Sequence, residues 1–261
     1  MFVLMIDGWK EATVEFVQKF ADVLGVTLYE ARQKMIGGGP VVAASFADEQ
    51  QAQVLAAKLN QKGIPALVID ASAFRSRSGH FVVRRFELGE WLLCIESVDG
   101  KSAEIPYEEI DLLLPATGTV GYSETKTVVG RKFSIGKTLL SGGIPMTKKV
   151  EHQEVVKTEE SRKVLYLYAG NRTPVAMRRD GMTYDGFGAD MKHSRELNFN
   201  HLVSELRRLS PRAVYDDRLL NRAGQVRLLG PALNPETNLN LAADILSLSL
   251  RRGRAGSSEA E

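Results

Sequence analysis

The tightest constraint on the fold lies in residues 2–70, where apolar runs of strand length alternate with helix-stop signals and leave little unassigned chain. Phe2-Val-Leu-Met-Ile-Asp7 is an apolar run suited to a buried strand. Val14, Val17, Ala21 and Leu24 then recur at helical spacing, with Phe16 and Phe20 beside them. Gly25 stands where a helix takes its C-terminal stop. Thr27 and Glu30 have the spacing of a capping box for a second helix, which Gly37-Gly38-Gly39-Pro40 ends. Val41 to Phe46 reads as a strand, and Asp48 to Lys62 as a helix with Ala52, Leu55, Ala56 and Leu59 inward. Gly63 stops that helix, and Ile64 to Ile69 close the segment as a last strand. The order β-α-α-β-α-β predicts a small α+β domain over residues 1–70.

The full chain of 261 residues has room for one large domain or two ordinary ones, each with its own core. Its net charge of +2 does not by itself point to a polyanionic partner. Residues 1–73 carry 6 Lys/Arg and 8 Asp/Glu, and residues 74–261 carry 28 and 24, a modest asymmetry between two pieces. Cys94 is the only cysteine, which excludes an intrachain disulfide and sets a reducing, cytoplasmic compartment as the expectation. It falls in Trp91-Leu-Leu-Cys-Ile95, an apolar strand, and is expected to be an inert core thiol. Phe2 to Ile6 is too short and lacks the basic flank of a secretory leader, and no run approaches the roughly 20 apolar residues of a membrane span.

The first seventy residues resemble the superfamily that joins the C-terminal domain of ribosomal protein L7/L12 to the ClpS protease adaptors. The resemblance rests on Val3-Leu4-Met5, Glu15-Phe16-Val17, Ala31 and Met35, the Gly-rich turn, and Val41 to Phe46 before an Ala-rich helix. It implies a protein-binding module. ClpS-like adaptors read an N-terminal residue with an Asn-Asp pair after the first strand and a His after the second helix. Here Asp7-Gly8-Trp9 follows the strand and Gly37 to Gly39 replace the His, so only Asp7 meets that pattern. Trp9 is either an exposed anchor for a partner or a staple against its own helix.

Residues 71–79 are small and polar, with Arg75 and Arg77, and read as a linker. Beyond them, strand signals dominate: Phe81 to Leu88, a turn at Gly89, Trp91 to Ile95, the Asp99-Gly100 turn, and Ile105 to Leu114. Residues 116–160 lose periodicity and predict a long loop, and residues 121–163 hold 9 Lys/Arg against 5 Asp/Glu. A second hairpin is expected from Val164 to Ala169 and Pro174 to Arg179 around Gly170-Asn171, with Met182 to Asp185 as a further strand candidate. A helix capped by Asn198 carries Phe199, Leu202, Val203, Leu206 and Leu209 inward, and Ser210-Pro211 ends it. Asn234-Pro235-Glu236 opens a last helix to about Leu250, followed by a disordered tail over 251–261. Residues 80–233 thus predict an antiparallel β-rich domain closed by a helix. Ile105-Pro106-Tyr107-Glu108-Glu109-Ile110 and the Asn198 helix weakly resemble bacterial pleckstrin-homology-like domains, which implies association rather than chemistry.

No complete catalytic, cofactor or metal constellation emerges. Gly130 to Thr138 has five residues between its glycines where a phosphate loop has four, and Gly37 to Gly39 follows a helix instead of leading into one. Asp185, Asp190, His193 and His201 lack ligand spacing, His80 and His152 have no partners in sequence, and Asp216-Asp217-Arg218 suggests a docking ion pair. The basic pairs Lys148-Lys149, Arg162-Lys163, Arg178-Arg179 and Arg207-Arg208, interleaved with Tyr166, Tyr168, Tyr184 and Phe187, form either a charged sheet rim or an anion-binding face. Alternation puts Tyr166 and Tyr168 on one strand face and Leu165 and Leu167 on the other, without saying which is core. The expectation is a non-enzymatic adaptor that binds a protein partner and uses no cofactor. The alternative is salt-dependent binding of nucleic acid or an anionic membrane surface.

Overall fold

Helix caps and glycine stops set the first part of the chain as the sequence implies. The computed structural model describes the backbone of residues 1–9, 11–73, 79–133 and 147–258, and side chains for 1–9, 11–73, 79–118 and 162–252. Helix α1 (Val14–Leu24) starts where Thr13 accepts the Phe16 N–H and stops at Gly25, whose φ of 66° is left-handed. Helix α2 (Leu28–Met35) has the full capping box, with Thr27 and Glu30 each accepting the other's backbone N–H. Asp48 caps α3 (Glu49–Gln61). Val14, which spacing places on the buried stripe, is 79% exposed at the first position of α1.

Strand β1 (Phe2–Ile6) lies in the middle of a three-stranded sheet, antiparallel to both β2 (Val41–Phe46) and β3 (Ala66–Asp70). The larger sheet contains β4 (Phe81–Leu88), β5 (Leu92–Ser97), β6 (Ser102–Pro106), β7 (Ile110–Phe133), β8 (Thr147–Ala169), β9 (Val175–Arg178) and β10 (Val214–Tyr215). Its order is β10-β7-β8-β9-β4-β5-β6. Neighbours β4–β5, β5–β6 and β8–β9 are antiparallel, whereas β4–β9 and β7–β10 are parallel. Helices α4 (Arg195–Leu209), α5 (Arg222–Leu229) and α6 (Pro235–Ser258) complete an α+β fold. Residues Met1–Gly118 together with Arg162–Glu261 form one compact unit, and Thr119–Ser161 a second.

Within the first unit, α1 to α3 pack on one face of the small sheet through Leu4, Ile6, Phe20, Met35 and Leu59. The other face, with Val3, Met5, Val42 and Ile69, shares a core with α5, α6 and the Leu112, Leu114, Tyr166 and Tyr168 face of the large sheet. Helix α4 covers the opposite face of that sheet, setting Phe199, Leu202 and Leu206 against Val83, Leu93, Leu165 and Leu167. Both faces of β8 over residues 164–169 are therefore core, which resolves the Tyr/Leu alternation. Leu241 to Leu246 are all buried, Asp244 included, as expected for a helix with a core on either side.

Several boundaries differ from expectation. The run Ile105 to Leu114 is broken by a 3₁₀ turn at Tyr107–Glu109. The supposed loop 116–160 is instead largely strand: β7 runs past Pro115 to Phe133, and β8 begins at Thr147. Its Thr, Val and Tyr content suits extended backbone even though no apolar alternation announces it. Ser194, not Asn198, caps α4; Asn198 is buried and bridges the Lys192 N–H and C=O. Asp185–Asp190 is a 3₁₀ segment, and no strand forms at Met182 to Asp185. Helix α6 continues past Leu250, its expected end, to Ser258. No helix among the described residues is long and apolar enough to cross a membrane.

Candidate functional site

The connection from β4 to β5 is pinned at both ends. Gly89 N–H donates to the Leu92 carbonyl at 3.0 Å, and Tyr107 N–H donates to the Trp91 carbonyl at 3.1 Å. The buried Tyr107 hydroxyl donates to the Gly89 carbonyl at 3.1 Å, and burial pushes its pKa up to about 12, so it stays a donor. This frame leaves the Trp91 side chain pointing outward, 75% exposed. Trp91, Pro106, Tyr107, Leu209 and Pro211 line an open groove of about 600 Å³, with Glu90, Glu108 and Arg212 at its rim. An aromatic anchor over an apolar floor, ringed by charges of both signs, is the arrangement of a protein-contact patch.

The sequence placed Trp91 inside an apolar strand with Leu93 and Ile95. Those two are buried, but the turn ends only at Leu92, and the pleat does not extend back to Trp91. A tryptophan two residues after a turn glycine is the signal that could have flagged it.

Trp9 has the opposite fate. It is 8% exposed, donates Nε1–H to the Met35 carbonyl at 3.2 Å, and lies 5.8 Å from the Phe16 ring. The staple holds, and the reading of Trp9 as an exposed anchor is corrected. Asp7, the one residue matching the adaptor pattern, is turned into the fold: it accepts from Gly8 N–H at 2.7 Å and from the Ser249 hydroxyl of α6.

Among the described residues, most of the expected basic face is engaged within the chain. Lys163 pairs with Glu196, and Arg179 donates to Glu196 at 2.8 Å and to Asp180 at 3.0 Å. These hydrogen bonds hold the Glu196 carboxyl below its usual range and raise the Arg179 pKa. Arg207 lies 3.9 Å over the Tyr215 ring, and Arg208 pairs with Glu205 at 2.6 Å. Arg162 and Arg178 are exposed. The side chains of Lys148, Lys149 and His152 lie outside the described residues, as do Arg75, Arg77 and the 134–138 part of the Gly130 to Thr138 stretch. Tyr166, Tyr168 and Tyr184 are buried and present no stacking platform.

Cys94 is not a core thiol. It is half-buried on the face opposite Leu93 and Ile95, in an open depression shared with Arg85, Glu87, Glu96 and Glu104. Burial, then Glu104 and Glu87, raise its pKa, which disfavours the thiolate. His80, unpartnered in sequence, has its ring buried, with Nε2 3.2 Å from Asp244 Oδ1 and the ring edge-on to Tyr166 at 5.3 Å. His201 packs 4.7 Å from Phe187, while Asp185, Asp190 and His193 are exposed. Among the described residues no group of three or more His, Cys, Asp or Glu converges as a metal site.

Comparison with protein-family models, with curated proteins and with solved structures found no match. The functional reading therefore rests on the geometry of the chain itself.

Proposed function

We propose that the chain is a non-enzymatic protein-interaction module whose contact surface is the groove beside Trp91. The observation that carries this is a 75% exposed tryptophan held on a hydrogen-bonded frame over apolar side chains. Leaving such a ring in water forgoes burial of roughly 150–250 Å². At about 25 cal/mol per Å² that is roughly 4–6 kcal/mol, the scale of an interface hot spot. The fixed turn also lowers the ordering cost of binding, since the frame exists before the partner arrives.

The reading is tested by selecting peptides from a random displayed library against the full chain and measuring each against the Trp91→Ala variant. A hot-spot loss of at least about 2 kcal/mol corresponds to roughly thirtyfold weaker binding. Selected peptides that bind both proteins equally would defeat the assignment of this groove.

A further inference from the structure

A second feature, separate from the Trp91 groove, gathers cations around the Gly37-Gly38-Gly39 turn. Arg218 donates to the Gly39 carbonyl, and its Nε lies 3.0 and 2.9 Å from the two Asp216 carboxylate oxygens. Its charge is therefore matched, by Asp216 directly and by Asp7 at longer range. Arg227 reaches the same turn from α5 and donates to the Gly38 carbonyl. The approach is so close that a Cβ at Gly37, where φ is +87°, would overlap the Arg227 guanidinium.

Arg227 differs from Arg218 in one respect. Among the described residues it has no carboxylate partner, and the charge that acts on it is that of the other arginine. Burial and then Arg218 both lower its pKa. A guanidinium does not give up its proton near neutral pH, so the cost of this half-buried charge stands until an anion offsets it. Beside it opens a cavity of about 200 Å³ lined by Gly37, Gly38, Arg218, Ala223, Gly224 and Arg227. Asn221 caps α5 by accepting the Gly224 N–H, while the N–H groups of Arg222 and Ala223 precede the first helical acceptors. The first turn of α5, one turn before Arg227 on the same helix, thus also favours negative charge.

We propose that this cavity is a binding site for a phosphate group, free or on a small phosphomonoester, with Arg227 as its principal cation and Arg218 as the second. The volume admits one tetrahedral oxyanion. The glycines serve close approach, and the role that sequence order denied to Gly37 to Gly39 returns through contact with a helix distant in the chain.

The test is thermal unfolding of the full chain in inorganic phosphate and in chloride of matched ionic strength, with phosphate affinity from calorimetry. The melting temperature is expected to rise saturably with phosphate alone. Arg227→Met should weaken phosphate binding by about tenfold to a hundredfold, the worth of a charged hydrogen bond. Because Arg227 also braces the turn, the second variant is Ala223→Glu, at an exposed position in the first turn of α5. Its carboxylate should occupy the site, abolishing the phosphate response while leaving the melting temperature in chloride unchanged or higher. No phosphate effect beyond chloride, or a full response in Ala223→Glu, overturns the proposal. So does retention on phosphatidic-acid vesicles without a response to free phosphate, because that places the recognition on a membrane surface and not in this cavity.

Discussion

The Tyr168 hydroxyl donates to Asp244 Oδ1 at 2.8 Å, in the seam between the large sheet and the last helix. Nearby, Tyr166 donates to Asn240 Oδ1 at 2.6 Å, and His80 approaches Asp244 off the line of a hydrogen bond. Together with the Arg251–Asp111 pair between α6 and β7, these contacts are directional pins that select one rotation of α6 among many that would bury similar area.

Tyr168→Phe should therefore destabilise the protein by about 1–3 kcal/mol, because it strands a buried carboxylate. Adding Asp244→Leu to Tyr168→Phe should recover part of that loss, since the stranded charge is then gone. Urea unfolding of the single and double variants measures both. A loss under about 0.5 kcal/mol for Tyr168→Phe would place it with ordinary surface changes and deny the pin.

The two tryptophans should separate stability from recognition. Trp9→Ala removes a buried ring and a donor to Met35, and should cost about 3–5 kcal/mol. Trp91→Ala should change stability by less than about 0.5 kcal/mol. Denaturant midpoints decide between them, and a large stability loss at Trp91 would make it a structural residue.

The contrast between these rings also shows what the sequence could and could not disclose. Capping at Thr27 and Glu30, the Gly25 stop and the periodicity of α3 are local, and each led directly to the observed element. The fates of Trp9 and Trp91 were set by non-local contacts: Met35 and Phe16 cover one, and the Tyr107 frame holds the other outward. The start of β7 was legible in the apolar run to Leu114, but its continuation past Pro115 was missed because no apolar alternation in the sequence announces it. The Arg227 cavity was illegible because it joins residues 37–40 to 218–228, and α5 carries no clear amphipathic pattern to announce itself.

Glu196 gives a pH signature. Hydrogen bonds from Lys163 and then Arg179 hold its folded-state pKa below the unfolded value. Its stabilisation is therefore present above the ordinary glutamate range and lost as pH falls through the depressed value. Glu196→Gln should be less stable than wild type near neutral pH, by an amount reduced by solvent screening, and the two should converge in acid. A difference that persists unchanged in acid would mean the pair does not carry the effect.

Asp7 should act in the opposite sense. Burial raises its folded-state pKa, against lowering by the Gly8 N–H and Arg218. Its contribution then falls as pH rises from the ordinary aspartate value through the raised one. Asp7→Asn keeps the acceptor for Gly8, turns an amide donor toward the Ser249 hydroxyl, and should flatten that decline. Stability curves for the two proteins with parallel slopes would contradict it.

The central claim is recognition through Trp91, and site-specific photocrosslinking in the cells that make the protein tests it most directly. A photoreactive residue at position 91 should yield a discrete protein adduct. The same residue at position 54, where Val54 is 50% exposed on α3, should not. Adducts identical at both positions, or none at position 91, would contradict the account.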